Sequence, residues 1–286
     1  MKLNVSNFSL LHIYRLSNSI SQLRLSRHLK IPGTLRNMPR LKPPTKEDSL
    51  LLPPFCALPD SAIYVPATPA AFDAARQVLL QQTALGFDTE SKPLFQVHQV
   101  DTGPHVVQLA TPHAAWLLQL HHPEALALAR EIVSAHHICK VGFGLDNDKA
   151  TLPQRLGVAM NHVLDLDRVF KRYGYGSSVG VRAAVALVLG QNFHKSKKQS
   201  TSNWAQRQLS EAQIRYAAND AHGPAMVYAA LPQWEARQPA PSATQAPRVR
   251  NAQRADPRPT TAPRHKRPTA AALLQAPRRP QAGQEP

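Results

Sequence analysis

Asp88 and Glu90, in the run Leu85-Gly86-Phe87-Asp88-Thr89-Glu90-Ser91-Lys92-Pro93, are the residues of this sequence best placed to do chemistry. Two carboxylates one residue apart at the end of an apolar stretch repel each other, and holding them together is costly unless a cation sits between them. On a strand, residues i and i+2 point to the same face, so both acids address one spot. That spot suits a hard divalent cation with oxygen ligands. A polar strand end running into a turn also explains an isolated Asp-x-Glu, so the arrival of further acids decides the matter.

Two other segments bring acids. In Lys140-Val141-Gly142-Phe143-Gly144-Leu145-Asp146-Asn147-Asp148, an apolar strand ends in glycines and opens a helix whose first turn carries Asp146 and Asp148. Acids in that turn also serve as ordinary caps and dipole partners. In Ser210-Glu211-Ala212-Gln213-Ile214-Arg215-Tyr216-Ala217-Ala218-Asn219-Asp220, Ser210 and Gln213 have capping-box spacing, which marks a helix start. Tyr216 and Asp220 then share a helical face, as a surface hydrogen-bonded pair also would.

The elements that must position these residues alternate along the middle of the chain. Short strands are expected at Ala62–Pro66, Ala84–Thr89, His105–Ala110, Ala115–Leu120, Ile138–Phe143 and Val163–Leu166. Helical periodicity predicts helices from Thr68 to about Gln82, with Phe72, Ala75, Val78 and Leu79 inward, over Pro123–Ala135, and from about Asp146. The pattern from Val179 onward is helical. A strand meander followed by strand-helix units implies an α/β protein with a mixed sheet and helices around it.

Charge separates the ends from the middle. Residues 1–46 carry nine Lys or Arg and no acid, and 237–286 carry ten against two acids, leaving fifteen bases and sixteen acids for 47–236. The formal charge of +16 therefore belongs to the ends. Such basic arms could tether a polyanion or merely aid solubility. Three regions are expected: a basic extension at 1–46, a folded domain at 47–236, and a Pro/Ala/Arg-rich tail at 237–286 with too few core-forming residues to fold. Met1–Asn37 is Ser- and Arg-rich and acid-free, the composition of a mitochondrial transit peptide, or else lies upstream of a start at Met38. No apolar run reaches the roughly 18 residues of a spanning helix, so no membrane partner is expected. Cys56 and Cys139 lack metal-type spacing, and reduced thiols in a cytoplasmic compartment are expected. The pairs His121-His122 and His136-His137 are taken as loop histidines.

Taken in order, Asp-x-Glu at a strand end, Val-Gly-x-Gly-x-x-x-Asp, and Tyr-x-x-x-Asp on a capped helix resemble the three motifs of the DEDDy 3′–5′ exonucleases. That family includes ribonuclease D and the exonuclease domain of Werner-type helicases. Leu164-Asp165-Leu166, and Lys195–Lys198 leading to Ser202-Asn203-Trp204, extend the resemblance, which covers about Pro53–Leu231. It implies a ribonuclease H-like fold, with a mixed sheet of about five strands whose second strand is antiparallel. It also implies removal of nucleoside monophosphates one at a time from a nucleic acid with a free 3′ end, DNA or RNA.

By the same resemblance, Asp88, Glu90, Asp148 and Asp220 would hold two ions, Mg²⁺ or Mn²⁺. Asp88, Glu90 and Asp220 would bind the ion that activates the nucleophile, Asp88 would bridge to the second, and Asp148 would act through bound water. Tyr216 would orient the attacking water. Asp146 stands two residues before the matched acid and is not carried over. The chemistry suits the residue types, because two ions about 3.5–4 Å apart can activate water, support the leaving oxygen and neutralise the scissile phosphate. Lys195, Lys197 and Lys198 could attract a nucleic-acid backbone or form a solvated loop. The alternative function is an inactive nucleic-acid-binding or scaffolding protein that keeps the fold; loss of an acid would mark it, and all four are present. Two departures stand out. Pro224, whose ring meets the carbonyl of Asp220 four residues back, is expected with Gly223 to give a tolerated kink just after that acid; such a kink could shift Asp220 or end that helix turn earlier. His222 falls where relatives often carry an aromatic residue, and is expected to be a partly exposed packing residue.

Overall fold

The computed structural model describes residues 40–94, 98 and 100–239. The readings made for residues 1–39 and 240–286, including a transit peptide, a start at Met38 and an unfolded tail, lie outside the described residues. The described chain runs α1 (Lys46–Leu50), β1 (Ile63–Tyr64), α2 (Pro69–Leu79), β2 (Ala84–Glu90), β3 (Val106–Ala110), β4 (Ala115–Gln119), α3 (Pro123–Ser134), β5 (Cys139–Gly142), α4 (Asp146–Leu156), β6 (Val163–Asp165), α5 (Leu166–Arg172), α6 (Val181–Leu189), α7 (Lys197–Ser200) and α8 (Glu211–Glu235). Among the described residues no helix is long and apolar enough to cross a membrane.

The strands form one mixed sheet in the order β1-β4-β3-β2-β5-β6. There are six strands, as the residue pattern implied, where the resemblance implied about five; the two-residue β1 pairs in parallel along the outer edge of β4. β3 is antiparallel to both β2 and β4, while β5 is parallel to β2 and β6 to β5. Because β2 and β5 run the same way, their carboxyl ends lie at one edge of the sheet. Asp88 and Glu90 sit at the first of these ends, and the turn into α4 leaves the second.

Strand alternation divides the core. Leu85, Phe87, Val107, Leu109 and Leu118 point to one face, where they pack with Phe72, Leu79, Leu128 and Ile132 of α2 and α3. The other face carries Val106 and Leu117 against Trp204, Tyr216 and Ala217, and Ala110 and Ala115 against Ala218, Ala221 and Ala225 of α8. Alanine on this side of α8 lets the helix lie close to the sheet. Closeness is greatest at Gly86, where an added Cβ would stand 2.0 Å from the Ala221 carbonyl oxygen and 2.9 Å from the Ala225 Cβ. A glycine is required there by space rather than by backbone conformation.

Three expectations need correction. α5 begins directly after β6 and was missed, since seven residues are too few for a periodic pattern to stand out. Pro224, by contrast, is tolerated as expected, since α8 continues from Glu211 to Glu235 through both Pro224 and Pro232. His222 is buried rather than partly exposed: its Nε2 lies 3.2 Å from the Pro112 carbonyl oxygen and its ring 5.4 Å from that of Phe55. The folded segment also reaches back past residue 47, with Thr45 capping α1 and Leu41 bridged to Tyr175.

Candidate active site

Four acids and a tyrosine meet at the carboxyl edge of the sheet. Asp88 and Glu90 alternate with Thr89 along β2 and face α8, keeping partial access to solvent, whereas Asp148 and Asp220 are buried at 7% and 3% exposure. Thr89, on the other side of the strand, donates its hydroxyl to Asp148 Oδ1 at 2.5 Å. This bond ties the first turn of α4 to the end of β2.

A second carboxylate sets the angle of that turn. Asp165, at the end of β6, accepts from the backbone N–H groups of Gly144 at 3.2 Å and Leu145 at 3.3 Å, and caps α5 by accepting from Asp167 N–H at 3.1 Å. Leu164-Asp165-Leu166 thus acts by holding the loop that presents Asp148. Asp146 points elsewhere, exposed and paired with Arg168 at 2.8 Å, as its offset from the matched position implied.

Tyr216 and Asp220 come from α8, whose register is secured at its start. Ser210 and Gln213 form the expected capping box, and the Gln213 amide donates to Ser202 Oγ at 2.9 Å and to the Asn203 carbonyl at 3.2 Å. The next residue, Trp204, is buried with its ring centroid 5.9 Å from that of Tyr216. Ser202-Asn203-Trp204 therefore docks on α8 and positions Tyr216. Lys195 reaches the centre, with its Nζ 3.0 Å from Asp220 Oδ2 and 5.7 Å from the centroid of the Tyr216 ring. Lys197 and Lys198 lie exposed on α7, so of the three lysines only Lys195 contacts an acid of the site.

Electrostatics follow from crowding. Burial, followed by the charge of Asp220, pushes the Asp88 carboxyl well above the usual range. Burial and then Asp88 push Glu90 up to about 9. Asp148 is raised by burial, opposed by its bond from Thr89. Asp220 is raised by burial, opposed by Lys195. Burial would lower Lys195, but Asp220 and Asp88 hold it above the ordinary lysine value. Tyr216 is raised by burial and then by Asp220, so its phenol stays protonated at neutral pH. Crowding thus favours the protonated carboxyls, and a cation that displaces those protons is what would let all four ionise together.

Sequence reasoning missed Thr89 and Gln108. Gln108 lies directly across from Asp88 in the sheet, is fully buried, and approaches the Glu90 carboxyl, slightly opposing its upward shift. An amide in the middle of the apolar run Val106-Val107-Gln108-Leu109-Ala110 was the available signal. The histidine pairs stay outside the site: His137 Nε2 lies 2.9 Å from the Leu80 carbonyl oxygen, and His121 and His122 lie against each other.

A family model described as 3′-5′ exonuclease matches residues 64–233. The chain belongs to the DEDDy group of that 3′–5′ exonuclease family. Among similar proteins, the exonuclease mut-7 homolog of Drosophila melanogaster is 31% identical over 198 residues, which is 61% of this chain and 31% of that protein. The exonuclease segment here thus spans about a third of that relative's length. The Nibbler EXO domain of Aedes aegypti has the same fold, with a TM-score of 0.54 at 24% identity, over 63% of this chain and 91% of that one. Ribonuclease D of Trypanosoma brucei, solved in complex with RNA U12, gives 0.51 at 20% identity, over 59% and 62%. The ribonuclease H-like architecture is shared by both.

The donor set fits hard divalent cations, being four carboxyl groups that offer only oxygen donors. Among the described residues no three His, Cys, Asp or Glu side chains already converge in ligating geometry. Lys195 at present occupies Asp220 Oδ2, a contact that a bound cation would replace.

Proposed function

We propose that this protein is a two-metal-ion 3′–5′ exonuclease that hydrolyses phosphodiester bonds at the 3′ end of DNA or RNA and releases nucleoside monophosphates. The observation that carries this reading is the meeting of Asp88, Glu90, Asp148 and Asp220 with Tyr216, from three separate segments, at one edge of the sheet. Asp88, Glu90, Asp148 and Asp220 would hold Mg²⁺ or Mn²⁺. Bound there, two ions would lower the pKa of an attacking water, stabilise the leaving oxygen and neutralise the phosphate.

The chain's own groups do the rest. The Tyr216 hydroxyl, kept protonated by burial, lies against Asp220, where it would orient the attacking water. Thr89 holds Asp148 in place, and Trp204 holds Tyr216. Lys195 lies close enough to share a phosphate with the acidic centre once its bond to Asp220 is released. Both Cys56 and Cys139 are free thiols, which supports a cytoplasmic compartment; a mitochondrial one depends on residues 1–37.

Purified protein with 3′- and 5′-labelled single- and double-stranded DNA and RNA, in Mg²⁺, Mn²⁺ or EDTA, tests the reading. Metal-dependent laddering from the 3′ end that is lost in Asp88→Ala is expected. Cleavage that persists in Asp88→Ala would refute the site.

A further inference from the structure

We infer that the segment 40–57, which precedes the family match, is a strap that completes the cavity beside the acidic centre and makes it a receptor for the 3′-terminal nucleotides of a single strand. This rests on the exonuclease reading above. The strap is pinned at two points. Leu41 N–H donates to the Gly174 carbonyl at 3.0 Å and Gly176 N–H to the Leu41 carbonyl at 3.1 Å. Further on, Phe55 N–H donates to the Asn192 carbonyl at 3.0 Å and Asn192 N–H to the Pro53 carbonyl at 2.8 Å. Gly176 permits the first crossing, since a Cβ there would stand 2.6 Å from the Arg40 Cδ. Between the pins, α1 packs on α6 and buries Ser49.

The strap thereby becomes part of a cavity of about 430 Å³ that includes Asp88 and Asp220. Pro44, Val181 and Pro224 supply apolar wall, and Lys46, Arg182 and Lys195 supply positive charge. That volume lies within the roughly 300–1,000 Å³ typical of small-ligand sites, so it takes a nucleotide or two and not the width of a duplex. The chemistry matches: apolar wall suits a base and sugar, and the cations suit phosphate. Lys46 and Arg182 form no ion pair among the described residues, so their charge is available to a ligand. Ionised acids at the centre would repel a polyanion, and cations on the approach offset that repulsion. Lys46 and Pro44 lie outside residues 64–233, so this wall is supplied by a part of the chain that the family match does not include.

The test uses the full chain carrying Asp88→Asn to prevent turnover, in EDTA, with a 5′-fluorescein single strand of DNA or RNA, and the same strand in a blunt duplex. Anisotropy titrations at several salt concentrations are expected to show the duplex bound at least tenfold more weakly. Lys46→Glu and Arg182→Glu should each weaken single-strand binding about tenfold. Lys46→Met, which keeps the aliphatic stem, should reduce the slope of log affinity against log salt by about 0.7, the value for one phosphate contact on a single strand. Melting curves confirm that each variant is folded. Unchanged affinity and slope in the folded Lys46 variants, or equal binding of duplex and single strand, would overturn the inference. If strap-dependent binding is seen but the unmodified chain releases no nucleotide in Mg²⁺ or Mn²⁺, the exonuclease reading fails while the binding surface stands.

Discussion

Replacing Gly86 by Ala tests whether the approach of α8 to β2 is what assembles the acidic centre. The added Cβ would lie 2.0 Å from the Ala221 carbonyl oxygen, against 3.4 Å for ordinary van der Waals contact, so about 1.4 Å of separation must be found. The atom in the way is backbone, and the helix itself has to move. Ala221 follows Asp220 directly, so a shift at Ala221 carries Asp220 away from Asp88. Overpacking of this kind costs about 1–3 kcal/mol. At about 2–4 °C per kcal/mol for a domain of this size, the Tm should fall by several degrees. Activity should fall further than stability, since displacing a catalytic group by about 1 Å can cost on the order of 100-fold. Melting curves of the full chain would be paired with initial rates of release from a 3′-labelled strand in saturating Mg²⁺, well below the variant's Tm. A folded Gly86→Ala protein with the parent rate and Tm would refute the argument that this contact positions Asp220.

Other expectations concern single side chains. Thr89→Val removes the bond to Asp148, and should weaken Mn²⁺ binding about 10–100-fold in calorimetry with little change in the metal-free Tm. Millimolar Mg²⁺ or Mn²⁺ should raise the Tm of the parent chain, because cations relieve repulsion present only in the folded state; an unchanged Tm would count against the site. Lys140 is fully buried, donating to the Ala135 carbonyl at 2.7 Å and the Ile138 carbonyl at 2.8 Å, and burial lowers its pKa from 10.5 to about 8. Between these values the unfolded chain binds more protons than the folded one, so this group makes stability rise with pH from about 8 to 10.5. Denaturant titrations should lose that rise in Lys140→Met, and an unaltered pH profile would refute it.

Much of the fold was legible because local chemistry and tertiary packing agreed. Thr68 followed by Pro69 announced α2, and the Ser210/Gln213 capping box announced α8; both form as spaced. Apolar runs at 106–110, 115–119 and 139–142 became the buried strands. α5 was not legible, since seven residues complete barely two turns and much of their helical character comes from the Asp165 cap and burial of Leu166, Val169 and Phe170. Pro224 is tolerated because α8 packs against β2 and α6, where neighbours hold the helix together across the hydrogen bond that proline cannot make.

By itself the sequence determined which residues could ligate a hard cation and the order in which they occur. Carboxylate type and strand or helix spacing are local properties, and a strand end, a helix first turn and a capped helix each present a face defined by a few neighbours. Only the tertiary structure decided that these faces meet. Parallel pairing of β2 and β5 puts Asp88 and the α4 turn at one edge, Asp165 sets the angle of that turn, and Gly86 admits α8 close enough to bring Asp220. The partners Thr89, Trp204 and Lys195, like the strap through Lys46, act across separations along the chain that no local pattern spans.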